Sequence, residues 1–248
     1  GFDAFTSCDM DGNSSWRFTG HMANLEYFYE QKDDPWTECP PSLTGAYMEN
    51  FKNLYDLCIN NSLTSPKELA TGGHDAAQEF MDGKAAFTVQ GSWEYAKYSE
   101  KVPNAVMIPY YCGVEGEEKA GLNCGTENCW AINSKVSDAN QKASLEFLKW
   151  VISSDKGKKA LSEDMGFTTP FKTFNDVKTD NPLIQDANKS IQNTELTQVA
   201  WDFSMMPSEE YKNVLGQAML NYAQGTGDWN AVVDAFVNNW KTEYDAAH

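Results

Sequence analysis

A mixed α/β protein, mostly helical, is what the sequence predicts, and three observations carry the prediction. Apolar residues recur at three- and four-residue steps in several long segments. Short, largely apolar runs bounded by glycine interrupt them, and turn-forming residues fall at intervals that separate the two kinds of element. The 248 residues, 41 % hydrophobic and 13 % aromatic, supply enough apolar surface for a sizeable core, so a folded chain of one large or two small domains is expected.

The first helix is predicted over 16–30, ended by the polar, Pro-bearing stretch 32–41. A second follows over 45–59, where Tyr47, Phe51, Leu54, Tyr55 and Cys58 share a face. Ser65 and Pro66 read as a cap with proline at the first helical position, and a short helix over 75–81 leads into Gly83. The runs 85–89 and 106–111 suit buried strands, with a helix starting at Ser92 between them. An exposed acidic loop is expected at 113–118 and a third strand at 129–132. Helices are then predicted over 138–152, with Ala143, Phe147, Leu148 and Val151 on one face, and over 155–161, before a loop at 166–170. In the helical final part, Tyr211, Val214, Leu215, Ala218, Met219 and Tyr222 mark a helix that ends at Gly225. The clearest element comes last: Trp229, Val232, Val233, Phe236, Val237, Trp240 and Tyr244 repeat at helical spacing behind Asp228 as cap, and their aromatics are expected in the core.

Charge narrows the partners. Thirty-six acidic against 19 basic residues leave a net charge of −17, which repels phosphate backbones and anionic headgroups, so no nucleic acid and no membrane surface is expected as a partner. No apolar stretch approaches the roughly 20 residues of a spanning helix. The start, Gly1 to Phe5, has no Met, basic segment or apolar segment, so the chain is read as beginning after processing or inside a longer protein. Cys124 and Cys129 are the one close pair among six cysteines; without a neighbouring His or CxxC they read as free thiols or a disulfide ahead of a zinc site. Asp9 to Asn13 reads as a turn, because Ser14 and Gly20 stand where a calcium loop needs Gly and Glu. HExxH, GxSxG, GxGxxG and Walker patterns are absent, and His21, His74 and His248 lie near no Ser or Cys at a recognisable spacing. No catalytic residue, metal ligand or cofactor is therefore expected.

The informative feature is tryptophan in breaker-rich segments: Trp16 after Asn13-Ser14-Ser15, Trp93 after Gly91-Ser92, and Trp201 before Asp202. A ring held at such an edge offers a flat face to a sugar while acids and amides bond the hydroxyls, or else it folds into the core.

Residues 80–93, Phe-Met-Asp-Gly-Lys-Ala-Ala-Phe-Thr-Val-Gln-Gly-Ser-Trp, resemble the F-x-x-G-K-A-A-M-x-x-x-G-x-W signature of extracellular solute-binding proteins of the family 1 type, the maltose-binding-protein-like sugar receptors of ABC importers, with Phe87 in place of the usual Met. Residues 125–133 followed by 142–150 resemble that family's strand and its A-x-x-x-F-L helix. Asp155-Lys156-Gly157, Gly166 to Pro170, and Gly225 with 229–236 resemble its later steps, in the same order. The resemblance spans about two thirds of the chain and gains weight from that order. It implies a periplasmic-binding-protein-like type II α/β fold, mostly the second lobe plus a remnant of the first. Residues 1–120 and 170–248 are expected to build the second lobe, and 121–169 the first-lobe remnant with hinge crossings.

Members usually carry a further stretch before the point matching Gly1, so an N-terminally truncated receptor is expected, with a homodimer, a swap or a missing N-terminal segment covering what that exposes. The family implies an oligosaccharide bound without catalysis in a cleft between lobes, ABC permease transmembrane subunits as partners, and a cell-surface lipoprotein or a periplasmic protein. Trp93 maps onto the family's cleft tryptophan. Glu127 and Asn128 would point hydroxyl-binding groups at the ligand, and Trp16, Arg17, Trp201 and Asp202 are further ligand-binding candidates, Arg17 alternatively forming a surface ion pair. Many acids beside many aromatics leave a glycoside hydrolase using a carboxylate pair as the alternative.

Overall fold

The computed structural model describes residues 2–7, 16–32, 34–69, 74–125 and 129–248. In chain order the elements are β1 (Asp3–Phe5), a π-helical stretch (Arg17–Met22) running into α1 (Asn24–Glu30), α2 (Met48–Asn60), α3 (Ala76–Met81), β2 (Ala85–Phe87), α4 (Tyr95–Tyr98), β3 (Ala120–Cys124), α5 (Asp138–Ser153), α6 (Asp155–Lys159), α7 (Pro182–Gln192), β4 (Thr197–Ala200), α8 (Glu209–Gln224) and α9 (Trp229–Ala247). The chain divides into two units, the first made of Gly1–Gln90, Ile108–Gly125 and Glu195–His248, the second of Gly91–Met107 and Thr126–Thr194.

The first unit is built round its last two helices. Asp228 accepts from the Ala231 N–H and starts α9, which satisfies one of the donors every helix start leaves open. Ser208 does the same for α8 through the Tyr211 N–H, and Gly225, at φ 74°, ends that helix in the left-handed conformation. The predicted apolar stripe of α9 is buried through Val232, Phe236 and Trp240. Against it pack Phe51, Tyr55 and Cys58 of α2 together with Phe18, Met22 and Tyr27. Burial leaves polar aromatic ends needing partners, and several of them are paired. Trp240 Nε1 donates to the Pro40 carbonyl at 2.7 Å, Tyr55 donates to the Met219 carbonyl, and the Tyr27 and Tyr211 hydroxyls meet at 3.0 Å.

Two separate parallel strand pairs complete this unit. In the first, Asp3 faces Ala85 and Phe5 faces Phe87; in the second, Ala120 faces Thr197 and Cys124 faces Ala200, with an irregularity between Ala120 and Asn123. Parallel pairing requires long crossovers, and both pairs have them.

The second unit holds α4 to α7 over a small buried set, Tyr98, Leu161, Leu183, Ile184 and Ala187. Asn181 caps α7 by accepting from the Leu183 and Ile184 N–H groups, ahead of Pro182 at the first helical position. Gly157 fits beneath α5 because a Cβ there would lie 2.2 Å from the Val151 carbonyl oxygen.

Three expectations are corrected. Residues 106–111 form no strand: Val106 and Ile108 are exposed, and the Met107 N–H donates to the Asp186 carboxylate at 3.1 Å in place of a ladder partner. Residues 129–132 are likewise irregular, and the strand lies earlier, at 120–124, where Ala-Gly-Leu-Asn-Cys gave no periodic signal. The helix over 138–153 forms as predicted but buries none of its residues, leaving Leu145, Phe147 and Trp150 exposed. The cysteines at 39, 58, 112, 124 and 129 are free thiols, while Cys8 and the Asp9–Asn13 turn lie outside the described residues. Among the described residues no helix is long and apolar enough to cross a membrane.

Candidate functional site

In open α/β sheets ligands bind beyond the carboxyl ends of parallel strands, where the chain leaves the sheet. Here those ends deliver polar and aromatic side chains. β1 runs into Thr6 and Ser7, β2 into Thr88 and Gln90, and β4 into Trp201 and Asp202.

Beyond the first pair lies a small recess lined by Thr6, Ser7, Arg17, Phe18, Thr88 and Val89. Its hydroxyls are linked: Thr6 donates to Thr88 at 3.2 Å, and Ser7 donates its N–H and its hydroxyl to Glu79 at 2.7 and 2.9 Å. Ser7 also meets the Thr64 hydroxyl, which lies 3.3 Å from His74 Nδ1. The Arg17 guanidinium stacks over the Trp16 ring at 4.6 Å. With its amide oxygen turned toward the guanidinium, Gln90 accepts from Arg17 Nε and Nη2 at 2.9 and 2.7 Å.

Beyond the second pair the π-helical stretch supplies His21, whose ring stands edge-on to Trp16 and to Trp201, 4.9 Å from each. Trp201 in turn stacks on Phe203 at 5.8 Å and 7°. Burial, with the Arg17 charge behind it, holds the His21 pKa down at about 4, so the imidazole is neutral at physiological pH. Asn24 fixes the strand exit, donating to the Ala200 carbonyl at 2.7 Å and accepting from the Asp202 N–H at 2.8 Å. Asn123 donates to the His21 carbonyl at 3.0 Å. Asp202 is 6 % exposed, and burial raises its pKa. Among the described residues, Trp201 Nε1, Asp202 Oδ2 and Asn123 Oδ1 are buried without a hydrogen-bond partner. Buried polar atoms are paired as a rule, so three orphans round one aromatic cluster point to a ligand or water that completes them.

Trp16, Arg17, Trp201 and Asp202, named from sequence, thus lie together in the first unit. Trp93 belongs to the second, in a helical turn over Ser92–Glu94. Its ring folds back on Gly91, where a Cβ would sit 2.2 Å from the indole, which explains the glycine two residues before it in the motif. Ser92 donates to the Gly166 carbonyl at 2.7 Å and so anchors that turn. Glu127 and Asn128 lie outside the described residues. Sequence reasoning missed Thr6, His21, Asn24, Thr88, Gln90 and Asn123. The readable signal for Thr6 and Thr88 is a polar residue directly after a three-residue strand, with Gln90 two positions after Thr88; His21 and Asn24 carry none beyond their helix.

The arrangement offers flat aromatic faces, buried donors and acceptors, and one fixed guanidinium. Among the described residues no group of three or more His, Cys, Asp or Glu is placed to hold a metal ion. Residues 4–192 match the model of a protein family described as bacterial extracellular solute-binding protein. No curated protein and no solved structure matches the chain significantly.

Proposed function

Because the chain belongs to the family of bacterial extracellular solute-binding proteins, we propose that it is the substrate-binding component of an ABC importer and that its solute is an oligosaccharide, bound without catalysis. The observation that carries the sugar reading is the Trp16–His21–Trp201–Phe203 cluster with the orphaned Trp201 Nε1, Asp202 Oδ2 and Asn123 Oδ1 beside it. Saccharides present apolar C–H faces and hydroxyls at their edges, which is the complement of aromatic faces rimmed by unpaired donors and acceptors. The resemblance of residues 80–93 to sugar receptors supports the same class and adds Trp93, Glu127 and Asn128 to the ligand-binding set. The partners are then the transmembrane permease subunits, which receive the solute from the loaded receptor, and the protein is a cell-surface lipoprotein or periplasmic.

The test is isothermal titration against malto-, xylo-, manno- and fructo-oligosaccharides, with Trp201→Ala and Trp93→Ala in parallel. We expect saturable binding to at least one series, weakened about tenfold by Trp201→Ala, equivalent to about 1.4 kcal/mol. Silence toward every saccharide sinks the sugar reading. Monosaccharide released on incubation replaces it with a glycoside hydrolase that uses a carboxylate pair.

A further inference from the structure

The ladder between β3 and β4 ends where Ala200 faces Cys124, so the backbone of Trp201 and Asp202 continues past the last strand pairing. A side chain takes over there. Asn24, buried at the start of α1, donates from Nδ2 to the Ala200 carbonyl at 2.7 Å and accepts the Asp202 N–H on Oδ1 at 2.8 Å. These two groups belong to the peptide planes on either side of Trp201. With both planes held by one amide, φ and ψ of Trp201 are fixed, and with them the direction in which its indole leaves the chain.

Two glycines supply the remaining constraints. A Cβ on Gly125, the residue after β3, would lie 2.6 Å from the Trp201 Cβ and 2.7 Å from its backbone nitrogen, so the two chains approach this closely only with glycine there. A Cβ on Gly20 in the π-helical stretch would overlap the Phe203 ring, on which Trp201 stacks at 5.8 Å. The indole is therefore set from three sides: its backbone by Asn24, its Cβ by Gly125, and its stacking partner by Gly20.

We propose that Asn24 is a positioning residue for solute binding that acts through Trp201, with Gly125 as the second position that sets where the indole stands. The proposal rests on the sugar reading above and deepens it, because a stacking platform recognises a sugar face only while its angle is held. Trp201 Nε1 and Asp202 Oδ2, two of the orphaned atoms, belong to the two residues whose backbone Asn24 grips. Ordering them before the solute arrives removes a cost that binding would otherwise bear. The chemistry calls for an amide. The site needs one donor and one acceptor on a single planar group, whereas an ionised aspartate has no donor and one serine hydroxyl does not span both peptide planes.

The experiment is a double-mutant cycle on the whole chain, titrated with the malto-, xylo-, manno- and fructo-oligosaccharides. We expect Asn24→Asp, which keeps the acceptor and removes the donor, to weaken binding about tenfold, and to cost less than about twofold once Trp201→Ala is already present. An asparagine that served stability alone would lose the same factor in both backgrounds. Near-ultraviolet circular dichroism reads the same point without solute: the band removed by Trp201→Ala should be weakened in Asn24→Asp. Gly125→Ala approaches the indole from an exposed position and leaves α1 untouched, so it carries the test if thermal melts show that the buried substitution does not fold. It should weaken both binding and the same band. Additive losses in the cycle, or unchanged affinity in both Asn24→Asp and Gly125→Ala, overturn the proposal while the sugar reading stands. Silence of the parent toward every saccharide overturns the sugar reading; a band unchanged in both variants then overturns the positioning as well, and a weakened band upholds it.

Discussion

Glu26 is the residue least reconciled with its surroundings. It is 1 % exposed in the core of the first unit, and neither carboxyl oxygen has a hydrogen-bond partner among the described residues. An ionised carboxylate cannot be held there, and burial, reinforced by the Glu30 charge, raises its pKa well above the ordinary 4.5. The folded protein therefore keeps a proton that the unfolded chain gives up, so this group's contribution to stability declines as pH rises above about 4.5. Glu26→Gln keeps the shape and removes the titration. Thermal melts should show the variant more stable than the parent at about pH 8, with the advantage fading toward about pH 4. A difference independent of pH would mean that Glu26 is ionised and paired. At this same scale the sequence was informative about type and silent about company. Trp16, Arg17, Trp201 and Asp202 stood out in breaker-rich segments, but nothing in the order of residues announced that His21 would stand between Trp16 and Trp201.

At the scale of elements, helix ends were the most legible features. Asp228, Gly225 and Asp75 sit at helix boundaries as read, because capping depends on residues a few positions apart, whereas Ser65 precedes a three-residue turn over Pro66–Glu68 and donates to the Glu68 carboxylate in place of capping it. Gly225 gives a clean test. A Cβ there meets no atom within 4 Å, so Gly225→Ala isolates the cost of a φ of 74° in an L-residue. We expect a loss of about 1–2 kcal/mol in urea unfolding at constant slope. A change below a few tenths of a kcal/mol would show that α8 ends elsewhere in solution. Strands were the least legible. Each has three to five residues and gains its hydrogen bonds from a partner far along the chain, so Thr197–Ala200 became a strand by meeting 120–124. The more apolar 106–111 found no partner strand.

At the scale of the whole molecule, charge and burial are unevenly shared. The first unit holds the large aromatic core and all of the net negative charge; the second is electrically balanced and thinly packed. Self-repulsion within the first unit should be relieved by screening, so its unfolding temperature should rise between about 20 mM and about 300 mM NaCl. An unchanged or falling midpoint would show that local pairs such as Lys52–Asp56 and Lys241–Asp245 outweigh the net repulsion. The exposed Leu145, Phe147 and Trp150 of α5 show that an amphipathic stripe read from sequence reports a capacity for burial, which a packing partner must complete.

The sequence by itself determined the helices and their caps, the acidity, the mixed α/β class and the family resemblance that the family match bears out. Each of these depends on composition or on residues within one or two helical turns, where chain connectivity already brings the interacting groups together. Tertiary structure alone decided which short runs paired as strands, which apolar faces were covered, and which side chains met Trp16 and Trp201. Those outcomes join residues near 20, 123 and 201, and only the packed chain brings such distant positions within hydrogen-bonding range.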